Sequence, residues 1–175
     1  MTFDAEIAIF IQRFFLTSTL GIGFAVLLSR YLIFVFIPVL VWLSVYGDNK
    51  EKHAVKEAAW SMGLAILIAE IFSLLLLRIR PFLSVAEIVS LIPPPLTSAF
   101  PSTHTSIAIA VTAALFSVSR RWGYFCAIIA LGIAIGRVAA GVHYPSDIIG
   151  GMLVGVFAFA AVRLGHKALR LKTKD

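Results

Sequence analysis

Three short stretches of this chain carry the residue types that move phosphoryl groups. They are RIRPF at 78–82, FPSTH at 100–104 and GRVAAGVHYPSD at 136–147. Arg80 and Arg137 offer planar forks of N–H donors whose spacing matches phosphate oxygens. Ser102 and Thr103 stand where a helix is expected to begin, so hydroxyls and free backbone N–H groups can address the same anion. Pro145 suits the first turn of a further helix, which sets Asp147 about one turn beyond His143 and within reach of its ring. A carboxylate on one ring nitrogen fixes the tautomer and leaves the other nitrogen free to attack phosphorus. His104 can protonate the departing oxygen. The set is complete for phosphoryl transfer: nucleophile His143, orienting Asp147, acid His104, and a charge clamp of Arg80, Ser102, Thr103 and Arg137.

Each residue has an ordinary explanation on its own. Arginines near helix ends snorkel to headgroups, Ser102 and Thr103 are common helix caps, His104 alone is a polar residue in need of a partner, and His143 with Asp147 is a familiar i, i+4 pair. Their joint placement on one expected face of the protein favours chemistry.

The elements that must position them are membrane helices. Of the 175 residues 60% are hydrophobic and 14% charged, and the mean hydropathy is +0.97. A water-soluble domain of this size cannot wet so much apolar surface, so lipid is the expected solvent. Six apolar segments stand out, at 3–28, 31–47, 57–78, 104–119, 122–138 and 146–164. They predict an all-α, polytopic membrane bundle of about six spanning or embedded helices, forming one domain over 1–175. The first segment opens amphipathically and leaves open whether it spans or lies in the interface. Gly132 with Gly136 and Gly151 with Gly155 are small-residue pairs suited to close helix contact.

The net charge of +6 does not point to nucleic acid. The cations cluster between apolar runs, at Lys50, Lys52 and Lys56, at Arg120 and Arg121, and at Lys167, Arg170, Lys172 and Lys174. These clusters alternate so as to lie on one side, the cytoplasmic one by the positive-inside rule. Loops 79–103 and 139–145 then share the opposite, extracytoplasmic side, and they hold the phosphate-type residues. Cys126 is alone in an apolar run, which excludes a disulfide framework and a thiolate metal site. No cleavable signal peptide is expected behind Asp4 and Glu6.

At these residues the chain resembles the type-2 phosphatidic acid phosphatase family of membrane phosphatases, which shares its site with vanadium haloperoxidases. That family carries a lysine seven residues before Arg-Pro, then Pro-Ser-Gly-His or a close variant, then Ser-Arg followed after five residues by His and after three more by Asp. Here the parts read Arg80-Pro81, Pro101-Ser102-Thr103-His104, and Gly136-Arg137 with His143 and Asp147, in order and spacing over 73–147. The resemblance implies a six-helix bundle and a phosphohistidine formed on His143 with support from Asp147. It further implies His104 as general acid, Arg80, Ser102, Thr103 and Arg137 on the phosphate, and no metal or other cofactor. Two positions depart from the pattern: Ser73 stands where the lysine belongs, and Gly136 where the serine belongs. Arg78 is a candidate to supply the missing charge. Glu70, a carboxylate within an apolar helix, has no assigned role.

The implied partner is a membrane lipid, with undecaprenyl diphosphate the leading substrate at the extracytoplasmic face of the cell membrane. Phosphatidic acid and phosphatidylglycerol phosphate are the alternatives. An anion or lipid transporter is a competing class, disfavoured because the polar residues gather at one end rather than through the depth of the bundle. An inactive lipid-binding protein is a third, motivated by the absent lysine. The tract LIPPPLTSAF at 91–100 is expected to cover the site.

Overall fold

A computed structural model describes residues 2–94 and 97–172, with side chains to 168. Pro95 and Leu96 of the expected cover, and the side chains of Arg170, Lys172 and Lys174, lie outside the described residues. Six helices account for the fold among those residues: α1 Phe3–Leu16, α2 Thr19–Tyr46, α3 Asn49–Leu76, α4 Thr103–Phe116, α5 Arg120–Ala139 and α6 Pro145–Lys172. A single helical turn, Pro81–Ser84, follows α3. The protein is an all-α membrane bundle. Four stretches are long and apolar enough to cross a bilayer: Thr19–Tyr46, Asn49–Ser84, Arg120–Ala139 and Pro145–Ala168.

The first two helices divide differently from the sequence expectation of 3–28 and 31–47. The break falls at Thr17–Ser18, where the Ser18 hydroxyl caps α2 by accepting the Gly21 N–H at 3.0 Å. The polar pair Ser29–Arg30, which resembled a helix end, lies inside α2 within a π-turn at Leu27–Tyr31. Helix α1 has 14 residues, roughly 21 Å of rise, which is short of the ~30 Å hydrocarbon core. It packs Ala5, Ala8 and Ile9 against Ala134 and Val138 of α5 and Ile148 of α6.

Helix α4 is equally short and sits at the centre, against α3, α5 and α6. Its Ala108, Val111, Ala114 and Leu115 are fully buried. A helix wrapped by protein need not match the bilayer thickness. Glycines allow the close approach. A Cβ on Gly151 or Gly155 would come within 2.7 Å of the Ser102 carbonyl or 2.6 Å of the Ser106 carbonyl on α4. Gly132 does the same for Leu32 of α2.

Helix α3 starts in a capping box, with Asp48 and Glu51 each accepting the other's backbone N–H at 2.8 and 3.0 Å. It ends at Leu77, whose left-handed φ of 41° turns the chain so that the Arg78 carbonyl accepts the Ala99 N–H at 2.9 Å. The loops expected to share a side do meet, through Phe82 N–H to the Gly141 carbonyl at 3.3 Å and Leu91 N–H to the Ala140 carbonyl at 3.1 Å. The Lys50–Lys56 cluster and Arg120–Arg121 begin α3 and α5, so they stand at the other end of the bundle from these loops.

Candidate active site

Helix α5 ends where Gly141 adopts a φ of +74°. A Cβ there would fall 2.3 Å from the Val89 carbonyl oxygen, so both the conformation and the contact favour glycine. The turn delivers Val142 and His143 into the bundle end, and Pro145 then opens α6. His143 is 3% exposed, which leaves its ring to be governed by protein groups alone.

Those groups set its tautomer. The Nδ1 of His143 lies 2.7 Å from the Ala99 carbonyl oxygen, which can only accept, so Nδ1 carries the proton. The Nε2 lone pair is therefore free, and two guanidinium groups converge on it: Arg137 Nη2 at 3.2 Å and Arg80 Nη1 at 3.4 Å. Burial first, then the charges of Arg137 and Arg80, hold the His143 ring well below its usual pKa. It stays a neutral base with its nucleophilic nitrogen turned toward two cations.

Sequence reasoning expected Asp147 on this ring. The structure sets its carboxylate 3.8 Å from Nδ1, beyond hydrogen-bond range, because both oxygens are engaged elsewhere. Oδ2 accepts the Tyr144 N–H at 2.7 Å, capping α6, and Oδ1 accepts Arg78 Nη1 at 2.5 Å. Arg78 also bonds Ser146 Oγ and Asp4 Oδ2, each at 2.6 Å. Its guanidinium lies 4.5 Å from the Tyr144 ring centroid. The Asp4 carboxylate further accepts the Ser146 hydroxyl in a short contact. Burial raises the Asp4 pKa, but the hydrogen bonds from Ser146 and Arg78 outweigh it and leave the group lowered and ionised. Arg78 is thus committed to two carboxylates and does not replace the missing lysine. Ser73 itself is buried on α3.

Arg80 and Arg137 differ in kind. Arg80 is held by carbonyl oxygens of Thr97, Ser98 and Val142 at 2.8–2.9 Å and by Thr97 Oγ1 at 3.0 Å. Arg137 reaches Ser29 of α2 only through long contacts, 3.4 Å to the carbonyl and 3.5 Å to the hydroxyl. Its Nε is buried with no partner among the described residues. Neither guanidinium forms a salt bridge among the described residues, although each is 4% exposed. Two buried, unneutralised cations side by side call for an anion.

His104 lies in the first turn of α4, at the same end of the bundle as the turn that carries His143. Ser102 is buried at the N-cap of α4 yet makes no side-chain cap bond. Its own N–H goes to the Asp147 carbonyl at 3.1 Å, which leaves the N–H groups of the next turn for an anion. Ser102 Oγ accepts from Thr105 at 3.1 Å. Thr103 points to α3, where its hydroxyl is 3.5 Å from Glu70 Oε1, the contact that carboxylate finds.

The second departure from the family pattern has a packing cause. A Cβ at Gly136 would fall 2.6 Å from both Leu28 Cβ and the Ser29 nitrogen, so α2 occupies the space a serine needs. Ser29, brought there by the π-turn, offers a hydroxyl to Arg137 instead. The sequence reading missed Ser29; Thr97, Ser98 and Ala99 fall in the tract expected to cover the site, but none was singled out. Ser98 and Ala99 act on Arg80 and His143 through carbonyl oxygens, which every residue has, so no side-chain signal marks them; Thr97 adds its hydroxyl to its carbonyl.

The chain is 27% identical over 131 residues to undecaprenyl-diphosphatase BcrC of Bacillus subtilis, covering 75% of this chain and 67% of the relative. It is 30% identical over 145 residues to an undecaprenyl-diphosphatase of Sulfolobus acidocaldarius, covering 81% and 69%. The crystal structure of Aquifex aeolicus LpxE superposes with a TM-score of 0.76 at 23% identity, over 93% of this chain and 95% of that one, a likeness of fold. The model of the PAP2 superfamily matches residues 54–170, two thirds of the chain and all three site stretches, and the chain belongs to that superfamily.

Proposed function

We propose that this protein removes the terminal phosphate of undecaprenyl diphosphate, giving undecaprenyl phosphate and inorganic phosphate, through a phosphohistidine on His143. The observation that carries the reading is the pair of buried, uncompensated guanidiniums of Arg80 and Arg137 meeting at the free Nε2 of His143. The substrate class rests on membership of a phosphatase superfamily, on a membrane bundle, and on relatives named undecaprenyl-diphosphatase.

In this reading Arg80, Arg137, Ser102 and the first N–H groups of α4, that of Thr103 among them, hold the terminal phosphate, while the Thr103 hydroxyl is turned to Glu70. The Nε2 of His143 attacks phosphorus; an N–P bond forms as the bond to the bridging oxygen breaks. Burial and the charges of Arg137 and Arg80 hold the His104 ring below its usual pKa; the bound phosphate offsets those charges, so the ring takes up a proton and donates it to that oxygen as undecaprenyl phosphate leaves. His104 then takes a proton from water, which attacks the phosphohistidine and releases phosphate. The charge that develops on the imidazole is supported by the Ala99 carbonyl at Nδ1, and more remotely by Asp147. The protein supplies all these groups, so turnover persists in EDTA.

The site faces the extracytoplasmic side in this reading, because Lys50, Lys52, Lys56, Arg120 and Arg121 gather at the other end of the bundle. The test is phosphate release by purified protein in detergent from undecaprenyl diphosphate, phosphatidic acid and phosphatidylglycerol phosphate. The diphosphate is expected to have the highest kcat/KM. Preference for a monoester would move the assignment to that lipid, and no release from any of them would return it to transport or lipid binding.

A further inference from the structure

The end of the bundle remote from the phosphate site holds a second cluster that the proposed chemistry does not use. His53 and Glu57 lie one turn apart on α3, and His166 faces them from α6. His166 stands 19 residues beyond Asp147 on the same helix, roughly 28 Å at 1.5 Å per residue. The Glu57 side chain is 8% exposed, and its Oε1 is approached by His53 Nδ1 at 3.6 Å and by His166 Nδ1 at 3.8 Å. The three ligand-type atoms lie within 4.8 Å of one another. His166 Nδ1 is buried and has no hydrogen-bond partner among the described residues.

We infer that His53, Glu57 and His166 form a binding site for a transition-metal dication, of which zinc is the best fit, clasping α3 to α6. The separations carry the argument. At 3.6 and 3.8 Å they are too long for direct hydrogen bonds. A tetrahedral zinc bonded at about 2.0–2.1 Å holds its ligand atoms roughly 3.4 Å apart. Small side-chain rotations close that difference. Two imidazoles and a carboxylate are also a zinc-type donor set, with a fourth position open to water from the adjoining cleft of about 450 Å³.

The neighbours select among metals. Arg163 lies 3.9 Å from the second oxygen of Glu57, and Lys50 and Lys167 line the same cleft. These cations weaken any ion held by charge alone, which disfavours magnesium and calcium and favours a metal bonded to imidazole nitrogen. Arg163 stands on the side of the other oxygen, Oε2, while Oε1 is directed at the two rings.

The test is calorimetric titration of the intact, detergent-solubilised protein with zinc chloride, repeated with magnesium chloride. One zinc per chain is expected, with His166→Ala and His53→Ala each weakening it at least tenfold. Magnesium should give no comparable binding, and His104→Gln should leave zinc affinity unchanged. Cobalt(II) added to the unaltered protein should give the visible absorption of a four-coordinate ion, a readout that needs no variant. Absence of both the zinc isotherm and the cobalt bands would overturn the inference. So would zinc affinity that is the same in His166→Ala and His53→Ala as in the parent, or that is lost in His104→Gln.

Discussion

Arg78 and Arg80 stand two residues apart at the same end of the bundle, and they belong to different regions. Arg78 joins α1, the end of α3 and the start of α6 through Asp4, Asp147 and Ser146, and its charge is cancelled. Arg80, together with Arg137, meets carbonyl oxygens, hydroxyls and one neutral histidine, and its charge is left standing. Residue type and location are nearly the same, so what separates structure from function is charge balance. A compensated arginine holds helices together. An uncompensated buried pair is a site waiting for an anion.

That contrast is most sharply tested by removing each kind in turn. Arg137→Ala or Arg80→Ala should lower kcat/KM for lipid diphosphate hydrolysis by about 100- to 1000-fold, as loss of a transition-state donor does. Arg137→Ala relieves like-charge repulsion and removes only long contacts, so its thermal stability in detergent should be held or raised, whereas Arg80→Ala also strips four hydrogen bonds from protein oxygens and should lower it. Arg78→Ala should do the reverse of Arg137→Ala. It leaves Asp147 buried without its cation, and folding stability should fall by about 1–3 kcal/mol, discounted because Arg78 is a third exposed. Activity per folded molecule should stay within about tenfold of the parent, since Asp147 touches the ring only at a distance. Equal losses of activity at Arg78 and Arg80 would dissolve the distinction. The smallest effect is expected at Ser29→Ala, a few-fold rise in KM with kcat nearly kept, because its contacts to Arg137 are long. A collapse of kcat there would mean that Arg137 is positioned chiefly by α2.

The same contrast explains what could be read from the sequence. Arg80, His104, Arg137 and His143 were legible because side-chain chemistry at fixed spacing is visible in a string of letters, and the structure brings them to one bundle end. Asp147 was legible as a partner of His143, but its real partners were not. Arg78 is 69 positions away, and no local pattern announces such a pair. Ser29 was hidden twice over. It lies 108 residues from Arg137, and its polarity suggested a helix end, whereas a π-turn turns it inward within an unbroken helix. Helix count and membrane character followed from composition. The α1–α2 boundary did not, because both segments are apolar and only the Ser18 cap separates them.

The central claim is that His143 Nε2 takes the phosphoryl group. It is tested most directly by rapid acid-free quench of purified protein turning over undecaprenyl diphosphate that carries a radiolabelled terminal phosphate. The account predicts alkali-stable, acid-labile label on the peptide containing His143. His143→Ala should show none and lose at least about 10⁴-fold in phosphate release while remaining folded. Turnover with no label on histidine, or a His143→Ala protein that releases phosphate at the parent rate, would contradict it.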